Sequence, residues 1–236
     1  MNIKNILFLD IETVPETQNF EELDALKQEL FSKKTAYQRK EDTSAEEFYE
    51  RAGIWAEFGK IICISVGFFD LHADRPALRI KSFFGGDERQ ILVDFKHLLD
   101  TYFSKPEHLL CAHNGKEFDF PFIARRMIIH AIELPEKLQL FGKKPWEVSH
   151  LDTMEMWKFG DFKHYTSLNL LTNILGIPSP KEDIDGSQVA KVYYEDRDLP
   201  RIVKYCERDT LAVAQVYLRL TNWPVLKPEQ VFFVEN

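Results

Sequence analysis

The chain starts with a nearly continuous apolar segment, which is typical of a strand covered on both faces. This segment is NILFLDIE (5–12), and Asp10 and Glu12 interrupt it near its end. Side chains two residues apart on a strand point to the same face of a sheet. The pattern therefore predicts a central strand that ends with two neighbouring carboxylates.

Strand and helix patterns alternate along most of the remaining chain. Further strands are predicted at 60–70, 77–85, 108–114 and 149–156, and helices at 85–103, 118–131, 164–176, 186–196 and 198–220. Three strands followed by two strands that are each reached through a helix indicate an α/β fold with a five-stranded mixed sheet flanked by helices. Right-handed crossovers that place the fourth strand beside the first give the order 3-2-1-4-5. Connections then diverge between strands one and four, where such sheets place ligands.

Two segments depart from this alternation. Residues 16–58 are rich in charged residues, with helix patterns at 20–31 and 44–58 and a capping box formed by Ser44 and Glu47. Residues 223–236 have the pattern of an extended tail. We therefore predict one domain at 1–220, with a helical insert at about 16–58 after strand 1, and a C-terminal tail at 221–236.

Composition narrows the classes of function. The chain has 236 residues, of which 44% are hydrophobic, and a net charge of −8. This charge argues against coating nucleic acid by bulk electrostatics, so a polyanion must be held locally or through metal ions. Cys63, Cys111 and Cys206 lie in apolar surroundings without paired spacing, which predicts reduced thiols and a cytoplasmic protein. We expect neither a signal peptide nor a membrane span.

Two further carboxylates lie in or directly after predicted helices and strands. Asp119 follows the fourth strand in HNGKEFD, and Asp209 lies in the last helix in YCERD. Carboxylates that converge in a cleft repel one another unless a cation or protons neutralise them. Oxygen ligands favour Mg²⁺ or Mn²⁺ over zinc, and pairs of such ions serve phosphoryl transfer. A solvated strand end is the alternative for Asp10 and Glu12 alone, whereas the whole set favours a metal site.

The segments LDIET, HNGKEFDF and YCERDT resemble, in this order, the three motifs of the DEDD superfamily of 3′–5′ exonucleases. More narrowly, residues 5–220 are similar to stand-alone exonucleases related to the proofreading domain of B-family DNA polymerases. Tyr205 precedes Asp209 by four residues, as in the tyrosine subclass, and residues at this spacing share a helix face. The resemblance implies a ribonuclease H-like fold.

The resemblance also implies roles for individual residues. Asp10, Glu12, Asp119 and Asp209 would hold two ions of Mg²⁺ or Mn²⁺, and Tyr205 would position the attacking water. Asn114 matches a family position that contacts the terminal nucleotide or orders the turn. Thr13, Phe118 and His164 are further candidate substrate contacts.

The expected function is metal-dependent 3′–5′ exonuclease activity that releases nucleoside monophosphates from single-stranded nucleic acid, DNA rather than RNA. An RNA exonuclease resembling ribonuclease D and a nucleic-acid-binding module without catalysis are the alternatives. The insert could also bind a protein partner.

Several other residues have two interpretations. For Asp152 a capping role is favoured over metal binding, and for Thr166 or Ser167 an N-cap is the simplest role. Arg125, Arg126, Lys143 and Lys144 could follow a phosphate backbone, although a solvated face is the favoured interpretation. Lys158, Lys163 and His164 precede a helix N-terminus, where phosphate can bind. Phe118, Phe120 and Phe122 could stack on bases, but core positions are favoured.

Overall fold

The computed structural model describes residues 2–70, 76–161, 165–178 and 184–234. Its strands are β1 (Ile6–Pro15), β2 (Gly59–Asp70), β3 (Ala77–Phe84), β4 (Leu109–Ala112), β5 (Leu151–Asp152) and β6 (Val231–Phe233). They form a single mixed sheet in the order β5-β4-β1-β2-β3-β6. The β1–β2 and β2–β3 pairs are antiparallel, whereas β1–β4, β4–β5 and β3–β6 are parallel.

Eight α-helices accompany the sheet in the described part of the chain. They are α1 (Ala25–Thr35), α2 (Ala45–Phe48), α3 (Glu88–Tyr102), α4 (Asp119–Ile129), α5 (Thr153–Lys158), α6 (Leu168–Ile174), α7 (Val189–Lys191) and α8 (Leu199–Leu220). Several N-caps agree with the sequence pattern. The side chain of Asp87 caps α3, that of Ser167 caps α6, and Ser44 and Glu47 form the capping box of α2.

The predicted sheet of five strands is wrong, because the sheet has six. The first five lie in the order β3-β2-β1-β4-β5, and the C-terminal segment adds β6 at the outer edge of β3. In this pair Leu78 lies opposite Val231 and Ile80 lies opposite Phe233. A strand of three residues is too short to show a period of two, so its pairing depends on the edge it meets.

Other elements also differ from the predictions in their bounds, and two of these differences concern segments near the site. The strand predicted at 149–156 is limited to Leu151–Asp152, and the prediction is wrong for the residues that follow. There the Asp152 carboxylate accepts the N–H groups of Met154 and Glu155 and starts α5. The helix expected at 44–58 shortens to α2 and continues as a 3₁₀ helix, Tyr49–Ile54. Short-range competition between helix types is not visible in an apolar pattern.

Strand β1 is buried on both faces by different layers. Leu7, Leu9 and Ile11 pack in the cluster that contains residues of α3 and α4. Phe8 points to the opposite face and packs edge-to-face on Tyr217 of α8, with 5.5 Å between ring centroids. Because side chains alternate along a strand, Asp10 and Glu12 continue the face of Phe8, toward α8.

No helix in the described ranges is both long enough and apolar enough to cross a membrane. Cys63, Cys111 and Cys206 are buried and form no disulfide. Burial raises the pKa of the Cys111 and Cys206 thiols well above the usual range, so both thiols stay protonated.

Candidate active site

The two carboxylates of β1 lie where the apolar face of the strand ends. Asp10 is half-buried and Glu12 is buried. Directly after Glu12 the pairing with β2 is irregular, since Glu12 lies opposite Cys63 but Thr13 lies opposite Ile61. Such bulges are frequent beside active sites because they redirect the strand. Here the irregularity lies between Glu12 and Thr13, and β1 continues to Pro15.

Helix α8 brings Tyr205 and Asp209 to this face of the sheet. The helix is strongly amphipathic, and its apolar side packs on β1 and β2. Two polar contacts fix its position: the Cys206 thiol donates to the carbonyl of Asp10 at 3.4 Å, and the Thr210 hydroxyl donates to the carbonyl of Ser65 at 3.2 Å. Tyr205 directly precedes Cys206 and Asp209 directly precedes Thr210, so the two residues lie about one helical turn apart.

Asp119 comes from a third direction, as the first residue of α4. The turn before it is ordered by Asn114, which has φ 62° and whose carbonyl accepts the N–H groups of Glu117 at 3.2 Å and Phe118 at 3.0 Å. The Asp152 carboxylate holds the same turn, accepting the N–H of Asn114 at 3.0 Å and of Lys116 at 3.1 Å. Asn114 therefore lies at the start of the turn that precedes Asp119, and its backbone groups form hydrogen bonds within and across that turn.

Gly115 permits the close approach of this turn to the sheet. A Cβ atom at this position would lie 2.4 Å from the Cβ of Ala112, closer than carbon atoms can pack. The glycine therefore lets the chain turn sharply from β4 into α4. Asp119 is buried as a result, with 4% of its surface exposed.

The electrostatics of the site are those of a carboxylate cluster. Burial, and then the neighbouring Asp209, Glu12 and Asp119, raise the pKa of Asp10 well above its usual range. Burial and Asp209 also raise the pKa of Glu12 well above its usual range. Burial raises the pKa of Asp119 to about 7, with Asp152 and Asp209 adding to the shift. All three groups are therefore destabilised in the charged form unless a cation compensates.

The donor atoms at the end of β1 fit a divalent cation. Oxygens of Asp10 and Glu12 and the Cys206 sulfur lie within 4.8 Å of one another. The Oδ2 atom of Asp10 is buried without any hydrogen-bond partner. A buried, unpaired carboxylate oxygen is costly, and coordination to a metal ion removes that cost. The mainly oxygen donor set suits Mg²⁺ or Mn²⁺, while the identity of the ion is a proposal.

Asp10 and Glu12 line a cavity of about 730 Å³. Among the residues predicted from the sequence, it is lined by Asp10, Glu12, Thr13, Phe118, Tyr205 and Asp209. Asp119 is buried beside it and interacts electrostatically with both β1 carboxylates. The structure thus brings the four carboxylates and Tyr205 together.

The other candidates from the sequence have different outcomes. Lys163 and His164 fall outside the described residues, and Lys158 is half-buried at the end of α5. Asp152 is a hydrogen-bond acceptor for backbone N–H groups, as the favoured capping role requires. Phe120 and Phe122 are core residues. Arg125, Lys143 and Lys144 are exposed.

Arg126 differs from both interpretations of its sequence pair. It is buried, and its guanidinium donates to both carboxylate oxygens of Glu88, at 2.8 and 2.5 Å, and to the carbonyl of Ala56 at 2.8 Å. An arginine with this many buried partners is neither a solvated residue nor a phosphate contact. It joins α3 and α4 to the end of the insert.

The cavity has walls that the sequence patterns did not indicate. Tyr165 lines it, as do Ser187 and Ala190 before and within α7. The insert also contributes, through residues of the 3₁₀ helix Tyr49–Ile54. These residues come from segments far apart in the chain, so no local pattern marked them.

Comparison with known proteins agrees with this geometry. Residues 54–225 match the model of a family described as a predicted 3′–5′ exonuclease related to the exonuclease domain of PolB. This range includes Asp119, Tyr205 and Asp209, whereas Asp10 and Glu12 precede it.

The fold is also similar to that of a family B DNA polymerase from the hyperthermophilic archaeon Pyrobaculum calidifontis. The TM-score is 0.57 at 16% sequence identity, over 90% of this chain and 24% of the polymerase. The chain thus spans about a quarter of that polymerase, and the likeness concerns the fold. Since the family model covers well over half of its length, the chain belongs to the family of predicted 3′–5′ exonucleases related to the exonuclease domain of PolB.

Proposed function

We propose that this chain is a metal-dependent exonuclease that removes nucleoside monophosphates from the 3′ end of single-stranded DNA. One observation carries the proposal: Asp10, Glu12, Asp119 and Asp209, from three separate elements, converge at one cavity beside Tyr205. Like charges gathered in this way disfavour folding, so their assembly indicates a site that binds cations.

The dimensions of the cavity support a strand end as the substrate. A volume of about 730 Å³ lies within the range of sites that bind small molecules, roughly 300–1,000 Å³. Such a cavity admits a terminal nucleotide but not a duplex. Phe118 and Tyr165 line it and offer aromatic surfaces on which an unpaired base can stack.

The chain's own residues would divide the chemistry between them. The carboxylates of Asp10, Glu12, Asp119 and Asp209 would hold two divalent ions, which when bound stabilise the charge that develops at the scissile phosphate. Tyr205 would orient the attacking water through its hydroxyl group, since positioning alone can supply a large part of a rate enhancement. Thr13 is held by a hydrogen bond of 2.8 Å to the Gly53 carbonyl, so its side chain shapes the cavity wall rather than reacting.

DNA is proposed over RNA because both the matched family and the similar structure are described through DNA polymerases. Discrimination against RNA depends on contacts to the 2′-hydroxyl group, and an RNA exonuclease remains the alternative within the same chemistry. A binding module without catalysis is disfavoured, because a site that had lost activity would be free to lose its carboxylates.

The test is digestion of single-stranded DNA and RNA, each labelled at the 5′ end, with Mg²⁺, Mn²⁺ or a chelator. We expect a ladder that shortens from the 3′ end, release of nucleoside 5′-monophosphates, and no products in the chelator. Asp209→Ala should be inactive, whereas Asp42→Ala, which removes an exposed carboxylate of the insert, should retain activity. Internal cleavage, or activity that survives the chelator, would contradict the proposal.

A further inference from the structure

The insert after β1 supplies part of the wall of the carboxylate cavity. Glu50, Arg51, Gly53 and Ile54 all line it, and all belong to the 3₁₀ helix Tyr49–Ile54. This segment follows β1 in sequence by more than thirty residues, yet it returns to the end of the strand that bears Asp10 and Glu12. The insert is therefore part of the site.

The position of this wall is fixed by close contacts with β1. The Thr13 hydroxyl donates to the Gly53 carbonyl at 2.8 Å, and the Glu16 N–H donates to the Phe58 carbonyl at 2.8 Å. A Cβ atom on Gly53 would lie 3.1 Å from the backbone carbon of Val14, so glycine allows the two backbones to touch. The wall is anchored one residue beyond Glu12.

Arg51 is the exposed residue of this wall whose chemistry stands out. Its guanidinium carbon lies over the ring of Phe48, 5.3 Å from the centroid, and Phe48 is buried in an aromatic cluster with Phe31 and Tyr49. Stacking on a fixed ring orients the guanidinium but leaves its N–H groups free to bind a ligand. Arg51 forms no ion pair with any residue in the described ranges.

The charge of the cavity makes this arginine distinctive. Asp10, Glu12, Glu50 and Asp209 line it as acids, and Arg51 is the one cation among the lining residues that the structure describes. A solvated surface arginine is the ordinary alternative, but such a residue would not need to line an acidic cavity. A planar guanidinium matches the two free oxygens of a phosphodiester group through paired hydrogen bonds.

Depth within the cavity decides which phosphate Arg51 can reach. Glu12 is 7% exposed and Asp119 is 4% exposed, whereas Arg51 is exposed at the mouth. The scissile phosphate must lie at the carboxylates, so a cation at the mouth meets the next phosphate along the strand.

We propose that Arg51 binds the phosphodiester group that precedes the scissile one, so that the insert forms a phosphate subsite for the retained strand. This inference rests on the proposed function and adds a determinant of substrate length. Because the subsite binds a group that does not react, its loss should raise KM and leave kcat unchanged.

A pair of short substrates isolates the subsite. A dinucleotide with free 5′ and 3′ hydroxyls contains only the scissile phosphodiester, whereas a trinucleotide contains one more. Arg51→Gln should lower kcat/KM for the trinucleotide about 10-fold through KM, since hydrogen bonds to charged groups are among the stronger ones. The same variant should cleave the dinucleotide within about twofold of the wild-type rate. Arg51→Lys keeps the charge but loses the paired hydrogen bonds. Its kcat/KM for the trinucleotide should therefore lie between the values of the wild type and of Arg51→Gln.

A binding measurement separates this inference from the proposed function. In the Asp10→Ala background, affinity for a fluorescent single-stranded hexanucleotide is measured against salt, so that no cleavage is required. Arg51→Gln should weaken binding and lower the slope of log affinity against log salt by about 0.7, the value for one phosphate contact. The matched control is Arg89→Gln, an exposed arginine outside the cavity, which should change neither quantity.

The outcomes are distinct. Equal losses on dinucleotide and trinucleotide, or no loss on either, would overturn the subsite. Failure of the wild-type protein to cleave any substrate would overturn the proposed function, and the binding measurement would still decide the role of Arg51. Thermal unfolding of Arg51→Gln should match the wild type to within a few degrees, so that a displaced wall is not mistaken for a lost contact.

Discussion

The carboxylate of Asp152 accepts the backbone N–H of Asn114 at 3.0 Å, which ties the end of β5 to the turn that carries Asp119 into the site. The same carboxylate accepts the N–H groups of Lys116, Met154 and Glu155. One buried side chain therefore accepts the free N–H groups at the start of α5 and also fixes the turn before α4. Its contacts join the two backbone segments that border the turn before Asp119.

Asp152→Ala should destabilise the protein by about 3 kcal/mol, because it removes an N-cap and leaves buried N–H groups without acceptors. Activity should also fall, since Asp119 loses its support, while the metal concentration that gives half-maximal rate should change little. Ser167→Ala is the matched control, as it removes only the cap of α6 and should cost about 1 kcal/mol without loss of activity. Urea unfolding and a metal titration of the rate measure both effects.

Tyr205→Phe should lower the rate by about 10- to 1,000-fold, because a misaligned nucleophile raises the activation free energy. The carboxylates remain in place in this variant. Asp209→Ala should cost more, since it removes one of the proposed ligands. Metal affinity should drop for Asp209→Ala and stay close to wild type for Tyr205→Phe. Single-turnover rates measured against metal concentration distinguish the two variants. A wild-type rate for Tyr205→Phe would reduce Tyr205 to a packing residue.

Asp10→Ala should abolish activity but leave the metal-free protein folded. The Asp10 carboxylate has one buried oxygen without a hydrogen-bond partner, and burial together with its acidic neighbours raises its pKa, so its removal relieves desolvation and repulsion. At pH 8 in a chelator, the melting temperature of Asp10→Ala should equal or exceed that of the wild type. Mn²⁺ should then raise the melting temperature of the wild type more than that of the variant, by mass action. A large loss of stability in the chelator would show that Asp10 is a structural residue.

His150 should make stability depend on pH. Its Nδ1 accepts the N–H of Leu110 at 3.2 Å, and its Nε2 lies 2.7 Å from the Lys137 carbonyl, so the imidazole is neutral with the proton on Nε2. Burial lowers the pKa of His150 from 6.5 to about 4. Between these values the unfolded chain binds a proton that the folded chain excludes, so stability present above pH 6.5 is lost as the pH falls toward 4.

The loss should be on the order of 3 kcal/mol, since each unit of pKa corresponds to about 1.4 kcal/mol. His150→Gln should lower stability at pH 8 and lack this component at low pH. The quantity to compare is the difference in free energy of unfolding between the wild type and the variant at pH 4.5, 6 and 8. His97→Gln, at an exposed position, serves as the control for replacing an imidazole by an amide. If the His150→Gln difference were constant, the buried neutral imidazole would be refuted.

Local rules account for the parts of the site that the sequence indicated. Alternation along β1 placed Asp10 and Glu12 on one face, and helical spacing placed Tyr205 one turn before Asp209. Both relationships depend on residues a few positions apart. Capping at Ser44 and Ser167 was visible for the same reason.

Features set by distant segments were not visible. Arg125 and Arg126 are indistinguishable as a pair, yet on a helix they point about 100° apart, and only Arg126 faces Glu88. Arg51 and Tyr165 contribute to the cavity wall because of the positions in which the insert and the segment before α6 pack in the domain. Such placement is decided by packing of the whole domain.

The distribution of the site along the chain has a consequence for biosynthesis. Asp10 emerges from a ribosome 199 residues before Asp209, and the strand β6, which pairs with β3, emerges later still. Contacts between segments so far apart in the chain form late, and a fold that depends on them forms slowly. A nascent chain that ends before α8 therefore carries Asp10, Glu12 and Asp119 without a complete site, and the proposed nuclease activity is withheld until α8 has been synthesised and has packed on β1.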